Sequence, residues 1–332
     1  MAWRARIYSS GSGSTARTGQ GLIARCGTRS ANRLTERKQP SAVAAVMAVT
    51  AGALILGATT AALREIDIGS TAAGFWRVAL ALPVLALMIF ISAQRNGSRI
   101  QHPNRHQAKL LLLAGACFAG DLLFWHLSLI HTSLGNATFL ATLSSLWVPL
   151  TAFLFLRQHL SRSFVAGTAA ALLGSGILVS ANVGSGDWLG DLYGLLTGFF
   201  FTGYILSVDR CRDTLSTTDT LFYSSAACAA LLLPLAVVAQ QVAGEAVLPT
   251  SLAGWLSVIA LGLFAHLIGQ GLVAFGVGSL SASLAAVILC LEGVGAMAVG
   301  ALFYAEARGV LDLVAVLCMI GGVALAQRSA AV

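Results

Sequence analysis

The sequence has very little charge for its length. Of its 332 residues only 10% are Asp, Glu, Lys or Arg, whereas 57% are hydrophobic and the mean hydropathy is +0.82. A soluble domain carries about 25% charged residues, so this chain cannot cover itself with a polar surface. The composition therefore excludes the class of soluble globular enzymes.

Arrangements that would indicate a nucleic-acid surface or a metal site are also missing. The net charge is +7, but 8 of the 20 basic residues lie before residue 41 and not on a folded face. The six cysteines form no Cys-x-x-Cys pair, and five lie within or beside apolar runs, which is typical of small buried residues. His102 and His106 have no third ligand nearby. We therefore expect no nucleic acid, metal or cofactor.

No catalytic motif is recognisable. The sequence contains no His-Glu-x-x-His, no nucleophile elbow and no P-loop for an ATP-driven pump. An enzyme inside the membrane is disfavoured because no nucleophile and base share a plausible depth. We predict that the protein is not an enzyme.

Long hydrophobic runs are what the sequence does have. A bilayer core of about 30 Å needs roughly 20 apolar residues of helix. Ten such runs are present, at residues 42–63, 71–92, 110–130, 134–156, 163–183, 188–208, 220–243, 252–275, 280–304 and 309–327. The connections are too short for a soluble domain, so the sequence predicts an all-α polytopic membrane protein with ten transmembrane helices.

The basic residues predict the orientation of these helices. Seventeen Lys and Arg residues fall on the side of the N-terminus and two on the other side, while Arg77 lies inside a span. Without residues 1–40 the ratio is still 9 to 2. Because basic residues near span ends resist translocation, both termini are predicted in the cytoplasm, with the protein in the inner or plasma membrane.

Residues 1–40 differ from the rest of the chain. They are rich in Arg, Ser, Thr and Gly and contain a single acidic residue, Glu36. The composition resembles an organellar transit peptide but lacks the apolar region of a secretory signal. A disordered basic tail near anionic lipid and a start codon placed too early are the alternatives, and we treat the segment as a disordered basic tail.

Faint self-similarity divides the ten spans into two sets of five. Residues 75–77 fall opposite 222–224, Pro149 opposite Gly295, and Gly174 opposite Gly322, at offsets of 146 to 148. An odd number of spans per half places the halves in opposite orientations, which gives two inverted five-helix repeats at residues 41–184 and 185–328. This architecture is typical of transporters, whose halves rock about a central site.

Four motifs resemble one known family. They are Phe-Trp-Arg at 75–77, Leu-Ser-Ser-Leu-Trp-Val-Pro at 143–149, Leu-Glu-Gly at 291–293 and Phe-Tyr-Ala-Glu at 303–306. In this order and spacing, over residues 42–327, the chain resembles the EamA type of the drug/metabolite transporter superfamily. The resemblance implies an inner-membrane carrier of small metabolites, often an exporter, with a central cavity between the halves. Two residues depart from the pattern of the family. Gln158 occupies the position of a glutamate, and Gly293 occupies the position of a proline. The absence of this proline predicts a less kinked ninth span.

Three ionisable residues lie well inside predicted spans. At the centre of a bilayer, inserting one charged residue raises the free energy of membrane insertion by roughly 2.5 to 3.5 kcal/mol. The three residues are Arg77, Asp121 and Glu292. At about 1.5 Å per residue, Arg77 lies about 9 Å and Asp121 about 14 Å from the outer ends of their spans. An ion pair that neutralises both charges and a role in binding or proton movement are both consistent with these depths.

Glu292 lies at the midplane of its span without a basic residue at that depth. Its candidate partner is His266, near the middle of the eighth span, which is alternatively a hydrogen-bonded core histidine. A carboxyl group in apolar surroundings favours its protonated form and is able to exchange a proton. The alternative is a permanently protonated Glu292 in one interhelical hydrogen bond.

The fourth span carries a polar face. Thr138, Thr142 and Ser145 recur at intervals of 4 and 3, which places them on one side of a continuous helix. Such a face can line a substrate path or pack against a neighbouring helix. His126 and Trp147 lie at similar depth, and aromatic core packing or stacking on a substrate would use the same residues.

These observations favour a secondary transporter, an exporter driven by protons or a facilitator. We expect it to hold a small amphipathic metabolite, such as an amino acid, near Asp121, Trp147, His266 and Glu292. The alternative is a non-transporting membrane sensor or scaffold whose repeat architecture is a relic. The expected partners are the small-molecule substrate, protons and the lipid bilayer, while substrate identity, direction and oligomeric state are left open.

Overall fold

A computed structural model describes residues 41–95, 97, 102–132, 134–157, 159–180, 187–303 and 309–330. All regular secondary structure within these ranges is helical. The predicted tail at residues 1–40, Gln158, the boundary proposed between residues 184 and 185, and residues 304–306 of the last motif lie outside the described residues.

The helices of the described residues group into ten successive segments, numbered here as spans 1 to 10, several of which consist of two or three consecutive helices. In the first half, span 1 is Ala42–Thr59 with the 3-10 helix Thr60–Glu65, span 2 is Ser70–Ala79 with Ala81–Arg95, span 3 is Arg105–His131, span 4 is Leu134–Thr142 with Ser144–Leu156, and span 5 is Arg162–Ser180. In the second half, span 6 is Trp188–Arg212, span 7 is Thr217–Ala243, span 8 is Leu252–Ala260 with the π-helix Leu261–Gln270 and Gly271–Val277, span 9 is Ala282–Leu289 with Glu292–Phe303, and span 10 is Val310–Ala330.

The lengths and hydropathies of these segments suit a bilayer. Within the described part of the chain, nine segments are long and apolar enough to cross a membrane, and the fifth span corresponds to a shorter apolar helix over Arg162–Leu178. Helices satisfy their own backbone hydrogen bonds, which a hydrocarbon environment requires. The all-helical, polytopic fold is therefore confirmed, and the predicted number of ten spans is close to the observed one.

Polar caps at loop residues start several of the spans. The Ser41 hydroxyl accepts a hydrogen bond from the Ala44 N–H at 3.2 Å, and Asn104 forms a capping box with Gln107. These side chains satisfy N–H groups that have no partner within the first helical turn. The helix starts are thus specified locally, before any packing between spans.

Spans 4 and 9 are interrupted at corresponding positions. Span 4 breaks at Leu143 and span 9 at Cys290 and Leu291, which is the offset of about 147 residues seen between the repeats. In span 9 the N–H groups of Cys290 and Leu291 donate hydrogen bonds to the carbonyl oxygens three residues earlier, with N···O distances of 3.2 and 3.0 Å. The backbone of span 9 thus changes its hydrogen-bonding pattern without a proline at position 293, and the expectation of a less kinked ninth span stays a prediction.

Span 1 packs against the break in span 9 through glycines. A Cβ atom on Gly57 would lie 1.8 Å from the carbonyl oxygen of Glu292, and one on Gly295 would lie 2.2 Å from the carbonyl oxygen of Leu54. Both distances are far below van der Waals contact with backbone atoms that cannot easily move. The absence of side chains at these two positions thus fixes Glu292 against span 1.

Two loops from different halves are joined by Asp67. Its Oδ2 accepts hydrogen bonds from the N–H of Ser251 at 2.8 Å, the N–H of Thr250 at 3.0 Å and the hydroxyl of Thr250 at 2.8 Å. These hydrogen bonds from Ser251 and Thr250 lower the pKa of Asp67 to about 2. The contact is at full strength above the ordinary aspartate pKa of about 3.9 and is lost only as the pH falls through 2.

The glycine contact between spans 1 and 9 predicts a contrast between two substitutions. Gly57→Ala forces span 1 away from Glu292 and should cost about 1–3 kcal/mol or more by overpacking. Gly321→Ala is the matched control, because that glycine is exposed on span 10 with nothing within 4 Å of its missing Cβ. It should leave the stability unchanged or raise it by up to about 1 kcal/mol. The midpoint of thermal unfolding in detergent measures both, and equal midpoints would contradict the packing described.

Candidate functional site

A cavity of about 70 Å³ lies at the breaks of spans 4 and 9 and is lined by residues of both halves. A single water needs roughly 10–15 Å³ of such space, so the cavity has room for a few water molecules. Discontinuous helices place polar backbone and side-chain groups at the membrane midplane, where transporters with inverted repeats bind their substrates. The location therefore marks this cavity as the candidate binding site.

All three intramembrane charges predicted from the sequence line this cavity. Arg77 stands in the last turn of the first helix of span 2, Asp121 near the middle of span 3, and Glu292 at the first residue after the break in span 9. Asp121 is buried, whereas Arg77 and Glu292 are half-buried. Three separate spans thus bring their charges to one place.

Arg77 interacts with both carboxylates rather than forming a contact pair with one of them. Asp121 and Glu292 both exert an electrostatic effect on its guanidinium. Among the described residues, no carboxylate oxygen lies within 4 Å of an Arg77 nitrogen, and its Nε is buried without a hydrogen-bond partner. The guanidinium carbon lies 6.0 Å from the centroid of the Phe118 ring, within the range of a cation–π interaction.

The charges at the cavity do not balance when both carboxylates are ionised. One guanidinium against two carboxylates leaves a net charge of −1 in surroundings where an uncompensated charge is costly. Neutrality is reached when one carboxyl group holds a proton or when a cation binds between them. The chemistry of this site is therefore suited to the exchange of a proton or a cation.

His266 does not join Glu292. Its Nε2 lies 2.6 Å from the hydroxyl of Ser225 on span 7, and its ring stacks on Phe118 with the centroids 5.3 Å apart. The side chain is fully buried and is absent from the cavity lining. Its geometry is that of the hydrogen-bonded core histidine considered above, because Ser225 contacts Nε2 and Phe118 stacks on the ring, while Nδ1 is buried without a hydrogen-bond partner among the described residues.

The polar face of span 4 reaches the cavity only in part. Thr138 and Thr142 line it, but after the break at Leu143 the lining residue is Ser144, and Ser145 is fully buried elsewhere. The prediction of one polar face assumed a continuous helix. Because the helix breaks at Leu143, the residue that faces the cavity after the break is one position earlier than predicted.

The two remaining candidates, His126 and Trp147, do not line the cavity. The Nδ1 of His126 lies 2.7 Å from the carbonyl oxygen of Leu122, and its ring packs edge-on against Trp125 at 5.1 Å between centroids. Trp125 itself lines the cavity, as does Phe118. The aromatic wall of the site is therefore formed by span 3, and Trp147 is a half-buried residue of span 4.

Sequence reasoning missed several polar residues of the site. Gln270 ends the π-helix of span 8, is 1% exposed and lines the cavity. An uncharged amide within an apolar span is neither ionisable nor part of a recurring polar face, so the sequence pattern does not mark it as a site residue. Thr59, Thr60 and Thr197 also line the cavity and were missed for the same reason.

The fold and this site together define a class of protein: a polytopic membrane transport protein built from two inverted halves around a polar cavity. The EamA-like transporter family matches the chain at residues 43–180 and again at 188–327. The chain belongs to the EamA-like transporter family, whose members are transporters and not enzymes. The resemblance inferred from the four sequence motifs is thereby confirmed.

Relatives agree with this assignment. The chain is 24% identical over 242 residues to the Pseudopaline exporter CntI of two Pseudomonas aeruginosa strains, which covers 73% of this chain and 82% of the relative. A protein of known crystal structure superposes with a TM-score of 0.70 at 18% identity, covering 85% of this chain and 98% of the other. At that identity the superposition shows the shared fold alone.

Charge balance in the cavity predicts non-additive effects of its three ionisable residues. Asp121→Asn or Glu292→Gln alone leaves one carboxylate for Arg77 and should be tolerated. The double variant leaves the guanidinium, which cannot lose its proton, without a partner, and should cost about 3–5 kcal/mol. Adding Arg77→Gln to the double variant should restore stability. The yield of monodisperse protein and the thermal midpoint measure this series, and a double variant as stable as the single ones would show that the three groups are not coupled.

Proposed function

We propose that this protein is a secondary active transporter that exports a small amphipathic metabolite, such as an amino acid, by alternating access. One observation carries the proposal: Arg77, Asp121 and Glu292 meet in a cavity at the equivalent breaks of spans 4 and 9. Charged groups at membrane depth are kept where they serve a substrate or ion path. The halves concerned are residues 41–184 and 185–328.

The contacts on the two sides of the cavity support alternating access. On one side, Asp67 holds residues 250 and 251, and the Gly69 N–H donates to the Ala246 carbonyl at 2.8 Å. On the other side, the described residues include a 3.2 Å hydrogen bond from Gln107 to Thr214 and a 3.4 Å contact between the Tyr223 hydroxyl and the His102 ring. By the distribution of basic residues, the strongly joined side is external. A small cavity closed more firmly outside suits a carrier that loads from the cytoplasm.

Proton coupling follows from the charge balance of the site. A proton on one carboxyl group gives a neutral empty cavity, and a substrate with a net charge of +1, such as a basic amino acid, gives a neutral loaded one. Entry of the substrate's cationic group then favours release of the proton, which links the two movements. The alternative is facilitated diffusion, in which one carboxyl group of the cavity stays protonated throughout the transport cycle.

Direction and location rest on two further supports. A relative at 24% identity is named as an exporter, which favours outward transport. More basic residues lie on the side of the two termini than on the opposite side. This distribution favours the cytoplasmic membrane, with both termini in the cytoplasm.

Glu292→Gln tests the coupling. The variant keeps the shape and hydrogen bonding of a protonated glutamate but cannot release a proton, so any structural role should survive. In proteoliposomes loaded with a labelled amino-acid mixture, wild-type flux should rise with an imposed pH gradient. Flux through the Glu292→Gln protein should be independent of the gradient.

Glu65→Gln is the matched control, because Glu65 is exposed at the end of the 3-10 helix that closes span 1, and this variant should keep the wild-type pH dependence. A Glu292→Gln protein with an unchanged pH profile would reduce Glu292 to an interhelical hydrogen bond. Asp121→Asn would then be the next variant to measure. Absence of flux for every amino acid in the mixture, in wild-type protein shown to be folded, would contradict the proposed substrate class.

A further inference from the structure

Gln270 occupies an unusual place in the cavity wall. It is the last residue of the ten-residue π-helix Leu261–Gln270, where the chain departs from regular α-helical hydrogen bonding. Stretches of π-helix inside α-helices are rare and are frequent at functional sites. The side chain is 1% exposed and lines the cavity together with the three charged residues.

The amide of Gln270 has an unpaired donor. Tyr204, itself 1% exposed, lies within hydrogen-bonding range of the Gln270 side chain. The amide Nε2 of Gln270 is buried and has no hydrogen-bond partner among the described residues. The tyrosine ring is in turn stacked on Phe118 at 4.7 Å between centroids. The NH₂ donors of Gln270 are therefore not used by any described residue.

A second unused donor lines the same cavity. The Nε of Arg77 is also buried without a hydrogen-bond partner among the described residues. Buried donors of this kind are almost always paired in native proteins, so two of them in one cavity require an explanation. The cavity thus presents two donor groups, Arg77 and Gln270, and two carboxylates, Asp121 and Glu292.

We propose that Gln270 and Arg77 form a subsite that binds the carboxylate of the substrate, while Asp121 and Glu292 face its cationic group. This inference rests on the proposed function and makes it more specific, because the substrate must then carry both a carboxylate and an amine. A carboxylate accepts hydrogen bonds from a planar guanidinium and from an amide NH₂ with good geometry. Tyr204 acts as the positioning residue for Gln270.

Binding to the purified full-length protein in detergent tests the subsite. The probes are the twenty standard amino acids and, for each one that binds, the matching amine without the carboxylate and the matching acid without the amine. A shift of the thermal midpoint with probe concentration gives the dissociation constant. Wild-type protein should bind the amino acid at least about tenfold more tightly than either matching compound.

Gln270→Glu keeps the size of the side chain and replaces the free donors by an oxygen that repels a carboxylate. It should weaken binding of the amino acid by about tenfold or more and leave binding of the amine unchanged or tighter. Gln240→Glu is the control, since Gln240 is an exposed residue of span 7. Tyr204→Phe should weaken amino-acid binding without altering amine binding, a selective effect that general loss of structure would not produce.

The outcomes separate this inference from the transport function. A Gln270→Glu protein that loses the amine and the amino acid equally, or that keeps both, overturns the subsite. Wild-type protein that binds no carboxylate-bearing probe also overturns it. In both cases gradient-driven flux of some other solute in proteoliposomes would leave the transporter assignment standing, whereas lack of all flux would remove the function itself.

Discussion

The structure depends on how three charges are accommodated inside a membrane. Arg77 cannot give up its proton, so the bundle has to keep carboxylates near it at a depth where water is scarce. Asp121 and Glu292 supply them from spans 3 and 9, and glycine packing at Gly57 fixes the backbone of Glu292 against span 1. Because one positive charge meets two negative ones, the site is balanced only with a proton or a bound cation.

The inverted repeat explains why the site lies where it does. Spans 4 and 9 are interrupted at equivalent positions, and the cavity is lined from both sides of these breaks. A cavity shared by two oppositely oriented halves can be opened by moving one half against the other. Asp67 joins the halves on one side through hydrogen bonds to residues 250 and 251, so opening on that side requires these bonds to break.

Local sequence patterns predicted the spans, the repeat and the three charges, because each of these is a property of one segment of chain. The partner of His266 could not be predicted in this way, since Ser225 and Phe118 come from other spans. Ser145 was placed on the cavity face by a periodicity that holds only for an unbroken helix, and the break at Leu143 substitutes Ser144. The place of Gln270 in the cavity wall could not be predicted either, because it depends on neighbours from other spans.

Accessibility of the cavity from both sides of the membrane is the most direct test of the account. A Thr142→Cys variant, made in a background without the six native cysteines, places one thiol in the cavity wall. A membrane-impermeant thiol reagent should label it from the cytoplasmic side in one condition and from the external side in another, with pH gradient and substrate shifting the ratio. A thiol that reacts from the same single side in every condition, or from neither, would contradict alternating access.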